Sequence, residues 1–263
     1  MLALTHLLSS KPKSMQRLLG LLLILCLASC EQSGDIAASD GGNTGQGGSL
    51  ARFTVVGDYL YTLEPSQLRW YEIAANGDLE SGGQIDLLGN QETIFPLGNL
   101  LFLGASEGMS IFQIAENGEP IFQSEVSHIV ACDPVVANAN YAFVTLRTES
   151  CNLFGRDTEN LLNIYDVNDI TNPDIVASYN MTSPRGLGLA GDYLFVCEGP
   201  FGLRTLKVDN PTEAEFIAFD QDIHANDVIV LSDVLLVIGP DNITQFDYSD
   251  PTDLVKLSEI RIE

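Results

Sequence analysis

The chain has 263 residues and carries 36 acidic against 12 basic side chains, a formal net charge of −24 at pH 7. This excess of negative charge repels nucleic acids and anionic lipid headgroups, so both are poor partners, and we predict no nucleic-acid binding. It is typical of a solvated acidic surface, and it also suits a cationic partner or divalent cations. Beyond the N-terminus no run of 18 apolar residues occurs, which argues against further membrane-spanning helices.

The first 30 residues have the pattern of a targeting segment. Lys11, Lys13 and Arg17 form a basic region before an apolar run at 18–27. That run is shorter than the about 20 residues of a membrane-spanning helix, so it is typical of a signal peptide. The ending LASC at 27–30 resembles the lipobox of bacterial lipoproteins. An ordinary secretory signal with a chance cysteine is the alternative.

The lipobox resemblance implies that residues 1–29 are removed and that the Cys30 sulfur receives a diacylglyceryl group. Each buried CH₂ contributes about 0.8 kcal/mol, so two or three acyl chains would anchor the protein firmly in a membrane. Glu31 follows the cysteine. By resemblance to the sorting rules of bacteria with two membranes, this favours an outer-membrane lipoprotein facing the periplasm or the cell surface. Translation starts at Met1 or at Met15, which lies directly before the basic region.

The segment 30–49 reads as a flexible tether after the lipidated cysteine, because it is rich in Gly, Ser and Asp and has almost nothing to bury. Removal of the signal peptide takes away three basic residues and no acidic residue. The mature chain therefore has 9 basic and 36 acidic side chains, a net charge of −27.

Residues 50–263 contain five copies of one strand-rich unit. A first apolar run ends at Tyr61, Phe102, Phe143, Phe195 and Leu236, with spacings of 41, 41, 52 and 41 residues. A second run follows in each copy, and its spacings of 41, 53, 41 and 40 share the same exception. The third copy therefore has an insertion of about twelve residues between its two runs. The predicted units are about 51–90, 91–130, 131–183, 184–224 and 225–263.

Each unit divides into four short strands, which we predict at 93–97, 100–104, 109–114 and 120–125 in the second copy. Asn76-Gly77 and Asn117-Gly118 are strong hairpin signals because they tolerate positive φ. Asn-Pro or Asp-Pro pairs occupy the same turn later in the chain. Four strands in about 41 residues are typical of a propeller blade, so we predict an all-β, five-bladed β-propeller. The alternative is an open stack of sheets, which would leave two apolar faces exposed.

The unit GDYLFVCEGPFGLRTLKVDNPTEAEFIAFD, residues 191–220, resembles the LVIVD repeat of bacterial surface and lipoprotein β-propellers. The resemblance covers nearly all of residues 51–263 and is weakest in the first unit, which lacks the Gly before its third strand and the Pro in its turn. It implies a propeller anchored at the cell surface, acting as a binding platform with no reaction of its own.

Cys132 and Cys151 lie before the first strand and after the second strand of the third unit, so the fold predicts them on one face. Outside the cytoplasm disulfides persist, and we expect a bridge between these two cysteines. Closing about 20 residues would contribute about 3 kcal/mol in the loop-entropy model. Cys197 is left over and reads as a buried free thiol, with pairing to one of the other two as the alternative.

The same face should carry the functional groups, because the loop before strand one and the loop between strands two and three meet there around the central channel. Asp133 and Arg147 are either part of a site or a local ion pair between two strands. His224 is more typical of an ordinary loop residue than of a ligand. The candidate binding residues are Arg52, Glu92, Asp133, Arg147, Arg185, Glu198, His224, Asn226 and Asp227.

A hydrolase is the alternative function. Five-bladed glycosidases use three carboxylates on inner strands, a set that Glu92, Asp133 and Asp227 could form. A calcium-dependent lactonase would need several oxygens around one ion, but the motif at 166–169 lacks the Gly and the final Glu of a calcium loop. We therefore predict no cofactor, with Ca²⁺ as an unsupported alternative. The predicted partner is an envelope or extracellular protein or a small ligand. The sequence does not fix the oligomeric state, and a monomer is favoured.

The lipid anchor predicts the outcome of a Cys30→Ala substitution. Without the acceptor sulfur no acyl chain can be attached, so the protein should move from the membrane to the soluble fraction. Fractionation of cells expressing the wild type and the variant measures this. Cys197→Ala, which leaves the lipobox intact, is the matched control, and a variant at residue 30 that stays with the membrane would contradict the anchor.

Overall fold

The protein is described by a computed structural model, which covers residues 47–127, 134–147 and 160–262. The targeting segment with Cys30, most of the tether, the predicted bridge partners Cys132 and Cys151, and Asp133 lie outside the described residues. Within the described residues, no helix has the length and apolar character needed to cross a bilayer.

In the part of the chain that the structure describes, twenty strands form five separate antiparallel sheets of four strands, each in simple sequential order. This arrangement confirms the predicted all-β, five-bladed β-propeller. Blades 1 and 2 contain β1 (Phe53–Val56), β2 (Tyr59–Glu64), β3 (Gln67–Ile73), β4 (Leu79–Asp86), β5 (Gln91–Leu97), β6 (Leu100–Ala105), β7 (Gly108–Ile114) and β8 (Pro120–Ser127). Blade 3 contains β9 (Val135–Ala137), β10 (Tyr141–Arg147), β11 (Asn160–Asp166) and β12 (Asp174–Asn180). Blades 4 and 5 contain β13 (Leu187–Ala190), β14 (Tyr193–Cys197), β15 (Leu203–Lys207), β16 (Glu215–Asp220), β17 (Asp227–Val230), β18 (Val234–Ile238), β19 (Asn242–Asp247) and β20 (Val255–Arg261).

The turns between the third and fourth strands follow the predicted chemistry. Gly77 and Gly118 have φ of 85° and 78°, the left-handed conformation that their Asn-Gly pairs predicted. The calcium-like segment at 166–169 is part of the equivalent turn in blade 3, where the Asn168 backbone N donates to Asp166 Oδ1 at 2.9 Å. These side chains therefore stabilise turns through local hydrogen bonds.

Four apolar clusters lie between consecutive blades and form the core. Along β6, Leu101 and Leu103 pack towards blade 1, whereas Phe102 packs towards blade 3. This alternation follows from the two-residue period of a strand, which gives each blade two buried faces. The other two clusters join blade 3 to blade 4 and blade 4 to blade 5.

Blade 5 meets blade 1 differently. The inner strands β1, β5, β9, β13 and β17 pack on one another in succession, but within the described ranges no comparable packing joins β17 to β1. Phe53 in β1 is 64% exposed. In place of an apolar cluster, the segment Gly48–Leu50 before β1 reaches Asp227 at the start of β17. These polar contacts link the N-terminal segment of blade 1 to blade 5.

Candidate functional site

A cavity of about 90 Å³ opens at the centre of the face where the first strands begin. Residues at the start of all five blades contribute to it, because each chain segment passes the central channel as it begins an inner strand. We call this cavity the mouth. Its lining is Leu50, Glu92, Pro134, Arg147, Pro184, Arg185 and Asn226.

Four of the nine predicted binding residues therefore meet in the mouth. Arg185 is the best defined of them: its Nη1 donates to Asn226 Oδ1 at 2.8 Å. Its backbone is held by blade 3, because the Thr145 hydroxyl donates to the Arg185 carbonyl at 2.6 Å. Arg185 Nε is buried and has no hydrogen-bond partner within the described residues. The guanidinium is thus fixed in place with donor capacity to spare.

Asp227 lies beneath the mouth, at the start of β17, and is only 6% exposed. The Ser49 hydroxyl donates to its Oδ1 at 3.1 Å, and the Leu50 backbone N donates to its Oδ2 at 3.4 Å. Ser49 Oγ in turn accepts the backbone N–H of Leu187 in blade 4 at 2.7 Å. We call the contacts of Ser49 and Leu50 with Asp227 the clasp.

Two glycines make room for the clasp. A Cβ atom at Gly48 or at Gly186 would overlap the Asp227 carboxylate. The backbone of the N-terminal segment and of blade 4 can therefore approach the carboxylate closely only because both positions lack side chains. Asp227 is enclosed by this backbone and does not line the mouth.

Burial raises the pKa of Asp227 to about 6, because desolvation disfavours its charged form. Hydrogen bonds from Val228, Ser49 and Leu50 act in the opposite direction and lower the pKa. The carboxylate is therefore more costly to ionise in the folded protein than in the unfolded chain.

Glu198 is also withdrawn from the mouth, since it is fully buried. Its Oε2 accepts the backbone N–H groups of Thr182 and Ser183 at 2.8 and 2.7 Å. Its Oε1 forms an ion pair with Arg204 Nε at 2.7 Å. The Arg204 guanidinium also lies 4.1 Å from the ring centroid of Phe219. With its lone pairs used in this way, Glu198 fixes the segment before β13.

The remaining candidates lie apart from the mouth. Arg52 donates from Nη2 to the Gln91 carbonyl at 3.0 Å and so joins blade 1 to blade 2. His224 is exposed in the segment before β17. Cys197 is buried, and burial raises the pKa of its thiol. No three His, Cys, Asp or Glu side chains in the described parts of the chain are grouped as a metal site would need.

Sequence reasoning missed Ser49, Gly48 and Gly186. Composition assigned Ser49 to the tether, but the structure buries it to 1% exposure. The signal that could have found it is an aspartate at the first position of an inner strand, because a buried carboxylate requires hydrogen-bond donors. Sequence does not show which donor, since Ser49 lies 178 residues away along the chain.

No family model and no curated protein matches the chain. Among solved structures, a protein from Lactobacillus plantarum has a TM-score of 0.62 and 14% identity, covering 80% of this chain and 74% of that chain. The periplasmic gluconolactonase of Pseudomonas aeruginosa has a TM-score of 0.61 and 13% identity, and the match covers 78% of this chain and 68% of that chain. A functionally unknown protein from Desulfotomaculum acetoxidans has a TM-score of 0.61 and 11% identity. The match covers 84% of this chain and 69% of that chain. At these identities the likeness shows the fold alone.

The raised pKa of Asp227 predicts a pH dependence of stability. Protonation favours the folded state, so the free energy of unfolding should rise as pH falls from 7 through 6 towards 4. Asp227→Asn keeps the size of the side chain and removes its titration. Relative to this variant, the wild type should gain on the order of 3 kcal/mol between pH 7 and pH 4, measured by urea unfolding.

Asp174→Asn is the matched control, because Asp174 is exposed at the start of β12 and its removal changes the net charge equally. The difference in the free energy of unfolding between this control and the wild type should stay constant with pH. If the difference in the free energy of unfolding between Asp227→Asn and the wild type were also constant with pH, the burial of an ionisable carboxylate at the clasp would be contradicted.

Proposed function

We propose that the protein is a non-catalytic binding or scaffold module of the bacterial cell envelope. In this proposal it carries LVIVD-type repeats and is held in the outer membrane by a lipid on Cys30. Its mouth engages an anionic group of an envelope or extracellular protein or of a small ligand. The observation that carries the proposal is the chemistry of the mouth, where Arg147 and Arg185 converge from two blades.

The size of the mouth supports binding of a single group rather than of a whole substrate. Its volume of about 90 Å³ equals roughly three water molecules in the liquid. Pockets that enclose a small-molecule ligand are typically about 300–1,000 Å³. A carboxylate or one acidic side chain fits the smaller space, and a sugar ring with its leaving group does not.

The charge of the side chains that line the mouth supports a ligand group that is negatively charged. The chain as a whole has a net charge of −24, yet two arginines and one carboxylate, that of Glu92, line this cavity, so its lining is net positive. Arginine presents a planar fork of donors that matches a carboxylate in a bidentate manner. Leu50, Pro134 and Pro184 supply an apolar wall beside the two arginines.

A hydrolase is the second candidate, favoured by the fold likeness to a gluconolactonase. Its weakness is the position of the carboxylates. Asp227, one of three acids that a glycosidase mechanism would use, is enclosed by the clasp and is only 6% exposed. Glu92 does line the mouth, so a reaction at this place would depend on it.

The proposal predicts which variants lose partner capture. The chain from residue 31 onward, immobilised and exposed to solubilised native envelope, should retain a specific partner. Arg147→Gln and Arg185→Gln should each reduce its recovery by at least about tenfold, because each removes a charged hydrogen bond of about 1.5–3 kcal/mol. Mass spectrometry of the eluted proteins and metabolites measures the recovery.

Arg261→Gln in β20 is the matched control, since it removes an equal charge from an exposed outer strand. It should capture as the wild type does. Equal capture by all four proteins would contradict binding at the mouth. If the wild type hydrolysed a lactone or glycoside and Glu92→Gln did not, the hydrolase function would be supported in place of the binding module.

A further inference from the structure

A second cavity lies on the side of the propeller, between blades 4 and 5. Its volume is about 410 Å³, within the range of small-molecule sites. We call it the 4/5 groove. It is lined by Leu203, Thr205, Ala218, Phe219, Asp220, Gln221, Asp222, Thr252, Asp253 and Leu254.

The repeat explains why a cavity forms at this junction. In each blade a β-bulge interrupts the third strand, and the residue before it occupies an equivalent position. In blades 1, 2 and 3 that residue is Trp70, Ile111 and Ile164, and each belongs to the apolar cluster that fills its junction. In blade 4 it is Thr205, which lines the groove. A smaller, polar side chain thus replaces the residue that closes the other junctions.

A second difference keeps the groove open. At the first three junctions a hydroxyl donates to a carbonyl in the next blade's turn between strands three and four. These bonds are Tyr61 to Gly118, Ser124 to Ile170 and Tyr179 to Pro211, at 2.8, 2.6 and 2.8 Å. In blade 4, Ala218 occupies the position of Ser124 and lines the groove. Blade 3 also has an alanine there and bonds through Tyr179, whose position in blade 4 is taken by Asp220. Among the described residues, no such bond reaches the blade 5 turn, and Thr252, Asp253 and Leu254 line the groove instead.

The lining has a floor and a rim of different chemistry. Leu203 and Thr205 form a floor that is 1% exposed, and no described residue hydrogen-bonds the Thr205 hydroxyl. This oxygen is not fully enclosed, so it is open to the groove, where it offers a polar contact to a ligand. The rim carries three carboxylates, on Asp220, Asp222 and Asp253, and none of the ten lining residues is basic. The nearby Arg204 is neutralised by its ion pair with Glu198.

We propose that the 4/5 groove binds a small organic cation, a protonated amine on a short apolar body. The ammonium group would lie among the rim carboxylates, and the apolar body would cover the floor where the other junctions place Trp or Ile. The site is independent of the mouth, which selects the opposite charge. A free metal ion suits the groove less well, because the carboxylates are spread around the rim of a 410 Å³ space.

The test is an NMR titration of the chain from residue 31 onward with 2-phenylethylamine. Saturable shifts are expected at the backbone amides of Thr205, Ala218 and Thr252. The neutral analogue 2-phenylethanol, which has the same body without the charge, should bind at least about tenfold more weakly, since a charged contact contributes more than a neutral one.

Two variants separate the floor from the rim. Thr205→Ile restores the residue found in blades 2 and 3, so it should fold with an unchanged or higher Tm and abolish amine binding. The double variant Asp222→Asn/Asp253→Asn removes exposed rim charges and should weaken binding by about tenfold. Asp174→Asn/Glu80→Gln removes the same charge from two exposed positions in blades 3 and 1 and should leave binding within about twofold of the wild type.

Three results would overturn the proposal. Equal affinity for the amine and the alcohol would show that the rim carboxylates do not contribute to binding. If the control double variant weakened amine binding as much as the rim double variant, the effect would come from the net charge of the protein and not from the groove. Saturation of the same amides by Ca²⁺, with loss of amine binding, would make the groove a metal site.

Discussion

The propeller depends on a buried carboxylate at the junction where its first and last blades meet. Asp227 is held by Ser49 and Leu50, and Ser49 also accepts the backbone amide of Leu187. A buried carboxylate is costly unless donors surround it, so the N-terminal segment must stay in place while Asp227 remains buried. Apolar clusters of described residues fill four junctions, whereas at the fifth these hydrogen bonds link the N-terminal segment to blades 4 and 5. The mouth depends on the same contacts, because Leu50 and Asn226 line it on either side of the clasp.

Departures from the repeat are concentrated in blades 3 and 4. Blade 3 carries the insertion between β10 and β11, next to Arg147 at the mouth. In blade 4 the Glu198–Arg204 pair fixes the segment before β13, and Thr205 replaces the residue that fills other junctions. Each repeated position is under the same packing constraint, so a polar or smaller residue there leaves a cavity that the fold itself does not require. The two cavities also differ in charge, with two arginines and Glu92 in the mouth and three aspartates without a basic residue at the 4/5 groove.

The architecture could be predicted from the sequence because it follows from local, repeated signals. Strand alternation and Asn-Gly turns recur in register, and the observed β5 to β8 contain the strands predicted for the second unit. The mouth was predicted in part, since Glu92, Arg147, Arg185 and Asn226 follow from the topology. Contacts between distant segments could not be predicted: Ser49 reads as tether until Asp227 is seen beside it. The burial of Glu198 could not be predicted either, because its carboxylate needs the backbone N–H groups of Thr182 and Ser183 as well as Arg204.

Hydrogen exchange at the Leu187 amide tests the closure of the ring most directly, because that N–H donates to Ser49 Oγ. If the clasp closes the ring, the Leu187 amide of the wild type exchanges as slowly as the core amides of β14. In Ser49→Ala it should exchange at least about tenfold faster, while the β14 amides keep their rates. An unchanged exchange rate at Leu187 in Ser49→Ala would contradict the account, because the blades would then hold together without the clasp.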